Sequence, residues 1–147
     1  MRVLVQEAPF DLAEETARFA KGEGGSGAIV TFTGVVRDNG AGTLSAMEIE
    51  HYPGMTEKAL CEIAEQAMAR FELQDALVIH RYGRLVPGEQ IMMVASAARH
   101  RRSAFEAAEF LMDYLKSRAP FWKREITAEG EAWVAAKDED EAALERW

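Results

Sequence analysis

The stretch Met112-Asp-Tyr-Leu-Lys-Ser-Arg-Ala-Pro-Phe-Trp-Lys-Arg-Glu125 predicts a helix, a sharp break and then a strand. Proline lacks a backbone N–H and disfavours a helical conformation in the residue before it, so the helix should end near Arg118 or Ala119. The aromatic and β-branched residues from Phe121 to Ile126 favour a strand. Lys116 and Lys123 would then lie on different elements, on either side of the turn.

Two lysines brought together without an acidic partner repel each other, which lowers their pKa values unless an anion joins them. The segment from Arg99 to Arg124 carries seven Lys/Arg against three Asp/Glu, a net charge of +4, in a chain whose formal charge is −8. A local basic patch on an acidic protein favours a compact anionic ligand or the anionic tail of a partner. The alternative is that these side chains are solvated surface charges on amphipathic stems.

The composition is typical of a globular protein, and we predict a single domain spanning residues 1–147. The overall acidity argues against sequence-independent binding of nucleic acid, which needs a basic face. No apolar run approaches the roughly 20 residues of a membrane span, so we expect no membrane association. The single cysteine, Cys61, allows no internal disulfide and favours a cytoplasmic protein.

Apolar periodicity predicts an α+β fold in which strands and helices alternate unevenly. The predicted strands are 2–7, 28–37, 44–52, 77–82, 90–97, 121–126 and 133–136. The predicted helices are 11–20, 55–71, a second long helix through 105–118, and 138–147. The alternative for 138–147 is a tail that orders only on assembly. Strands 28–37 and 44–52 are expected to pair as a hairpin, and residues 83–88 are predicted to form a turn.

The candidate functional residues are mostly cations. His100 and Arg101 stand where a strand gives way to the second long helix, and the free N–H groups of a helix start favour anions. Arg37 closes a strand beside a glycine-rich loop. Surface exposure is the alternative for all three. His51 and His80 lie in strand patterns and are expected to be packed or paired. The three histidines are far apart in sequence and lack a cysteine or carboxylate cluster, so we predict no metal site.

The sequence contains no Gly-x-Ser-x-Gly motif and no activated Cys–His pair. If the protein is an enzyme, its working groups are therefore cations. Lysine would serve as acid–base group or transient nucleophile, with arginine and histidine as anion holders.

Four blocks of sequence together resemble the large, catalytic subunit of molybdopterin synthase. They are Thr31-Phe-Thr-Gly-Val-Val-Arg37, Glu50-His-Tyr-Pro-Gly-Met55, His100-Arg101 followed by Ala104-Phe-Glu106, and the stretch Met112 to Glu125. The last block is long and specific, and the resemblance extends from about Phe10 to Trp147.

The resemblance implies a sulfurtransferase of molybdenum cofactor biosynthesis that converts cyclic pyranopterin monophosphate (precursor Z) to molybdopterin. The sulfur would come from a thiocarboxylate on the C-terminal Gly-Gly tail of a small ubiquitin-like subunit. The implied fold is an α/β hammerhead with an added antiparallel β subdomain. The implied assembly is a homodimer of this chain with one small subunit at each end, a heterotetramer, and no cofactor is expected.

Five residues match the functional positions of that family. Lys116 matches its essential lysine and Lys123 its second important lysine. Arg37, His100 and Arg101 match its anion-pocket residues. Substrate phosphate and donor thiocarboxylate are both anions, so all five side chains are expected to converge on one pocket. Lys116 is expected to have a lowered pKa, and either to move protons or to hold a covalent intermediate.

Arg99 and Arg102 depart from the family pattern, in which small or hydroxylic neighbours are expected, and the resemblance implies that they add charge at the pocket rim. The rival interpretation is a non-catalytic module that binds an anionic C-terminal tail or a phosphorylated metabolite.

Overall fold

The computed structural model describes all 147 residues, which form eight β-strands, four α-helices and a final 3₁₀ turn. In chain order the elements are β1 (Arg2–Gln6), α1 (Leu12–Arg18), β2 (Ala28–Val35), β3 (Ala46–His51), α2 (Met55–Arg70), β4 (Asp75–Arg81), β5 (Gly83–Leu85), β6 (Gln90–Ala98), α3 (Arg101–Arg118), β7 (Phe121–Thr127), β8 (Gly130–Trp133), α4 (Asp138–Ala143) and the 3₁₀ turn Leu144–Arg146. No helix combines the length and the hydrophobicity that crossing a membrane requires.

The strands form two four-stranded sheets, in the orders β1-β4-β6-β2 and β5-β3-β7-β8. β1 runs parallel to β4, whereas every other neighbouring pair is antiparallel. The predicted α+β class is confirmed. The second, wholly antiparallel sheet corresponds to the added subdomain that the resemblance implies.

The first sheet is covered on both faces. Alternate residues of a strand face opposite sides. Accordingly, Ala76 and Val78 of β4 belong to the large apolar cluster that contains residues of α2 and α3. Leu77 and Ile79 belong to a smaller cluster with Phe19, at the end of α1. Because both faces are covered, β4 and β6 are almost fully buried.

The predicted hairpin between β2 and β3 is wrong. β2 pairs with β6 in the first sheet, whereas β3 pairs with β5 and β7 in the second. The chain leaves the first sheet at a bulge after Gly34, where the Val36 N–H donates to the Glu89 carbonyl at 2.8 Å. The following loop is closed by the Leu44 N–H, which donates to the Asp38 carboxylate at 3.0 Å. β2 therefore pairs with the distant buried strand β6 and not with β3, the next strand in sequence.

Two short strands also differ from the prediction. The segment Gly83–Leu85, predicted as part of a turn, pairs with β3 as β5. The last strand forms at Gly130–Trp133 and not at 133–136, because a tight hairpin places Gly130 opposite Thr127. The φ of +130° at Gly130 suits a residue without a Cβ atom.

The predicted break at Pro120 is confirmed. α3 ends at Arg118, Ala119 is extended with φ −79° and ψ 129°, and β7 begins at Phe121. The Thr56 hydroxyl of α2 donates to the Pro120 carbonyl at 3.1 Å. The turn between α3 and β7 is thereby held against the body of the protein.

The segment after β8 returns along α3. The Ser117 hydroxyl donates to the Asp140 carbonyl at 2.8 Å, and the Trp147 indole N–H donates to the Asp113 carboxylate at 2.7 Å. The Trp147 ring meets the edge of the Phe110 ring, with centroids 5.5 Å apart. These contacts hold α4 beside the last turns of α3.

Phe110→Ala should lower the free energy of unfolding by about 3–5 kcal/mol, the usual cost of truncating a buried phenylalanine. Phe110 is 1% exposed and contacts the rings of Phe71, Tyr114 and Trp147. A urea titration followed by circular dichroism measures the loss. Phe105→Ala is the control, since Phe105 lies on the same helix but is 60% exposed. Equal losses in both variants would contradict the packing described above.

Candidate active site

One cavity of about 650 Å³ lies where the end of β2, the last turns of α3, the start of β7 and the segment after β8 meet. Its wall is largely apolar, with 13 hydrophobic residues among 21. Phe32, Met92 and Met112 are among those that enter it from the first sheet and from α3. A cavity of this size accommodates a small organic molecule.

Lys116 and Lys123 both line this cavity. Lys116 comes from the last turn of α3 and Lys123 from the start of β7, so the break at Pro120 turns the chain between them. Lys116 is exposed, whereas Lys123 is partly buried. Neither ammonium group forms an ion pair within the chain. Lys137, the N-cap of α4, also lines the cavity and forms no ion pair, so the wall carries three lysines without a paired acid.

Burial lowers the pKa of Lys123 below its ordinary value, and the positive charge of Lys116 lowers it further. The Asp140 carboxylate opposes this shift and is the only carboxylate that lines the cavity. A lowered pKa favours the neutral amine, which can accept a proton or act as a nucleophile. The sequence predicts such a shift for Lys116, but the more buried of the two lysines is Lys123.

His80 is a third titratable residue in the cavity wall and is 5% exposed. Its ring stacks on Phe121 with centroids 3.7 Å apart, and its Nδ1 lies 2.8 Å from the Arg81 carbonyl oxygen. Burial lowers the pKa of His80 to about 3; the hydrogen bond to Arg81 opposes that shift and the charge of Lys123 adds to it. His80 is therefore neutral at neutral pH. The prediction that this histidine is packed is correct, but its place beside the lysines is new.

Sequence reasoning missed His80 and Trp133 as cavity residues. The period of two along β4 puts His80 on the same face as Val78, which belongs to the large apolar cluster, and this was the available signal. Trp133 carried no such signal, because its place depends on how the second sheet pairs. The Arg124 guanidinium lies 5.0 Å from the Trp133 ring centroid and also pairs with Glu131 at 2.9 Å. Arg124 thereby fixes this edge of the cavity.

Arg37, His100 and Arg101 do not line the cavity, contrary to the predicted convergence on one pocket. Arg101 begins α3, and Lys116 lies about 22 Å further along the helix axis at a rise of about 1.5 Å per residue. His100 is the N-cap at that same distant end. Arg37 follows Val35, which does line the cavity, but its own side chain is exposed. A single chain therefore does not gather the five predicted residues.

The cavity contains no thiol, since Cys61 lies outside it on α2. No group of three or more His, Cys, Asp or Glu residues in the chain is placed to hold a metal ion. The chemistry of the site therefore rests on three lysine amines, one neutral imidazole, the Asp140 carboxylate and an apolar wall with aromatic rings from Phe121 and Trp122.

Comparison with known proteins agrees with the resemblance found in the sequence. Residues 5–118 match the family model described as MoaE protein. The chain belongs to the MoaE family. A molybdopterin synthase catalytic subunit from Cereibacter sphaeroides is 69% identical over 147 residues, which covers the whole of both chains. The solved MoaE protein from Burkholderia ambifaria has a TM-score of 0.85 and 50% identity, over 99% of this chain and 97% of that chain.

A complex of subunits 1 and 2 of the molybdopterin-converting factor from Helicobacter pylori contains a more distant MoaE-like fold. Its matched chain has a TM-score of 0.69 at 18% identity, over 92% of this chain and 90% of that chain. The MoaE family match includes Lys116, and the full-length match to the Cereibacter sphaeroides relative extends over Lys123 as well. Both cavity lysines therefore lie within the region that MoaE relatives share.

In this MoaE-family chain, Lys116→Ala should raise the pKa of Lys123, because it removes the positive charge that lowers it. Asp140→Asn should lower the pKa of Lys123 further, because it removes the opposing negative charge. Titration of lysines labelled with ¹³C at Cε, followed by NMR, measures both changes. An unchanged Lys123 titration in both variants would show that the three groups do not interact.

Proposed function

We propose that this chain is the catalytic subunit of a molybdopterin synthase, a sulfurtransferase that converts precursor Z to molybdopterin in molybdenum cofactor biosynthesis. One observation carries the proposal. Lys116 and Lys123, two amines without an ion-paired acid, share a mainly apolar cavity of about 650 Å³. The Cereibacter sphaeroides relative, 69% identical over its full length, bears that name.

The cavity suits a flat heterocycle that carries negative charge. Apolar and aromatic side chains such as Met112 and Phe121 can pack against the faces of a pterin. The lysines attract the substrate phosphate and the donor thiocarboxylate, since both are anions. Such an anion also offsets the repulsion between the two ammonium groups.

Lys116 and Lys123 are the proposed catalytic residues. Lys116, which matches the essential lysine of the family, moves protons as sulfur adds to the substrate and oxygen leaves, or holds the substrate covalently. Lys123 orients the thiocarboxylate, and its lowered pKa makes it a second group able to accept a proton. Both amines also bind the substrate through charge-assisted hydrogen bonds.

The proposed partner is a small ubiquitin-like sulfur carrier with a C-terminal Gly-Gly thiocarboxylate. Lys137 joins Lys116 on the exposed part of the cavity wall, so an anionic tail meets positive charge as it enters. The relative from Helicobacter pylori was solved as a complex of two subunits, which supports a two-subunit enzyme. We place the reaction in the cytoplasm, since the one cysteine, Cys61, is free.

Arg37, His100 and Arg101 are proposed to bind the substrate phosphate from a second copy of this chain. Since α3 separates His100 and Arg101 from Lys116 by about 22 Å, they can serve a lysine cavity only across a dimer interface. β2 is the edge strand of the first sheet and exposes Ile29 and Val35, which suits pairing between copies. We propose one domain over residues 1–147, a homodimer, and a heterotetramer with two sulfur carriers.

Lys116→Ala should abolish formation of molybdopterin while leaving the fold and the complex with the sulfur carrier intact. Lys116→Arg should also fail, because arginine keeps the charge but stays protonated and cannot act as base or nucleophile. The assay combines purified chain, thiocarboxylated carrier and precursor Z, with product detected by mass spectrometry. Lys58→Ala is the matched control, since Lys58 is exposed on α2 outside the cavity. Turnover by Lys116→Ala at the wild-type rate would remove Lys116 from the mechanism.

A wild-type chain that binds the carrier but transfers no sulfur would support the non-catalytic interpretation.

Mixing two inactive variants should restore activity if the site is shared between copies. A Lys116→Ala chain supplies intact His100 and Arg101, and a chain with both of these changed to Ala supplies intact Lys116. Random exchange of subunits in a two-fold dimer leaves about a quarter of all sites complete. The same turnover assay, run before and after subunit exchange, measures the recovery. Activity that stays at the level of the separate variants would refute the shared site.

A further inference from the structure

His80 is a buried polar residue of the cavity whose second ring nitrogen has no assigned role. A carbonyl oxygen can only accept a hydrogen bond, so Nδ1, 2.8 Å from the Arg81 carbonyl, carries the proton of the neutral ring. Nε2 is then unprotonated and is an acceptor. It has no hydrogen-bond partner within the chain, although the ring lines the same cavity as Lys116 and Lys123.

The ring of His80 is held in place on two sides. One face stacks on Phe121 at 3.7 Å and 17°, which fixes the plane of the imidazole. The backbone carbonyl that receives Nδ1–H belongs to Arg81, whose own side chain donates to the Glu7 carbonyl at 3.1 Å and the Gln90 carbonyl at 3.2 Å. The free nitrogen is therefore preorganised, because neither the ring nor its anchor can turn without breaking these contacts.

We propose that His80 is a substrate-binding residue whose Nε2 accepts a hydrogen bond from an N–H group of the bound heterocycle. The inference rests on the proposed function, because it takes a pterin as the occupant of the cavity. A pterin carries N–H donors along one edge and apolar ring faces, and the wall around His80 offers apolar side chains such as Met92 and Met112. The amines hold the anionic groups, and His80 selects the donor edge of the ring.

Because Nε2 of His80 is an acceptor, this part of the cavity wall favours ligands that present an N–H donor to it. A ligand without an N–H group at that position would leave Nε2 desolvated and unpaired, which weakens binding. His80 keeps its acceptor over the whole neutral range, since its pKa is lowered to about 3 by burial. Binding through His80 is therefore expected to be independent of pH between about 5 and 8.

Paired substitutions separate the acceptor from the packing. His80→Phe keeps an aromatic ring against Phe121 but removes the acceptor, whereas His80→Gln restores an acceptor oxygen. We expect His80→Phe to raise the Kd for precursor Z, and the KM in the sulfur-transfer assay, about tenfold, with kcat within about twofold. His80→Gln should recover most of this loss. The matched control is His51→Phe, because His51 stacks on Tyr82 at 4.1 Å but lies outside the cavity.

NMR of ¹⁵N-histidine in the wild-type protein gives a readout that does not depend on how the variants fold. In the free protein, the resonance of Nε2 should be that of an unprotonated nitrogen. Precursor Z should shift the Nε2 resonance as the nitrogen accepts a hydrogen bond, and should leave the Nδ1 resonance nearly unchanged. An Nε2 resonance that does not respond to saturating precursor Z would overturn the proposal, and so would a His80→Phe variant with wild-type Kd and KM.

The outcomes distinguish this inference from the proposed function. If the wild-type enzyme turns over precursor Z but the Nε2 resonance of His80 does not respond to it, only the role of His80 is refuted. A wild-type chain that neither binds nor converts precursor Z would refute the proposed function, and the role of His80 with it.

Discussion

The turn at Pro120 holds two ammonium groups on one cavity against their mutual repulsion. Lys116 and Lys123 are close in sequence, and both line the cavity because the chain changes from helix to strand between them. The rest of the fold supports that turn. Thr56 of α2 holds the Pro120 carbonyl, β3 pairs with β7 along its length, and the segment after β8 closes the cavity from the other side. Without these supports, the helix end and the strand could separate and relieve the repulsion.

Repulsion of this kind is useful to an enzyme whose substrates are anions. The chain as a whole is acidic, with a formal charge of −8, yet only Asp140 places a carboxylate in the cavity wall. Burial makes the charge on Lys123 less favourable, so its pKa falls and a neutral amine becomes more accessible. An arriving phosphate or thiocarboxylate stabilises the charged amines, and a proton can then be exchanged between them and the bound groups. In the proposed mechanism, Lys116 and Lys123 thus serve both substrate binding and proton transfer.

Local signals predicted most of the secondary structure. The proline break and the periodicity of the two long helices depend on neighbours in sequence, and the structure confirms them. The hairpin prediction was wrong because pairing of strands depends on which distant strand offers the better buried surface, and β6 does so for β2.

The cavity residues also fall into those that local sequence predicts and those that depend on distant contacts. The positions of Lys116 and Lys123 could be predicted from one local turn, whereas those of His80 and Trp133 depend on how the strands pair. The placement of His100 and Arg101 outside the cavity follows from the length of α3, which a match of residue types does not convey.

The two thioethers in the cavity wall make the site sensitive to oxidants. Met92 is largely buried and Met112 partly so, and both face the space proposed for the pterin. Oxidation converts a flexible apolar thioether into a polar, chiral sulfoxide. A sulfoxide oxygen would bring a new hydrogen-bond acceptor into the apolar part of the cavity wall. Oxidation of Met92 or Met112 by peroxide would therefore impair binding in the cavity, although Lys116 and Lys123 would be unchanged.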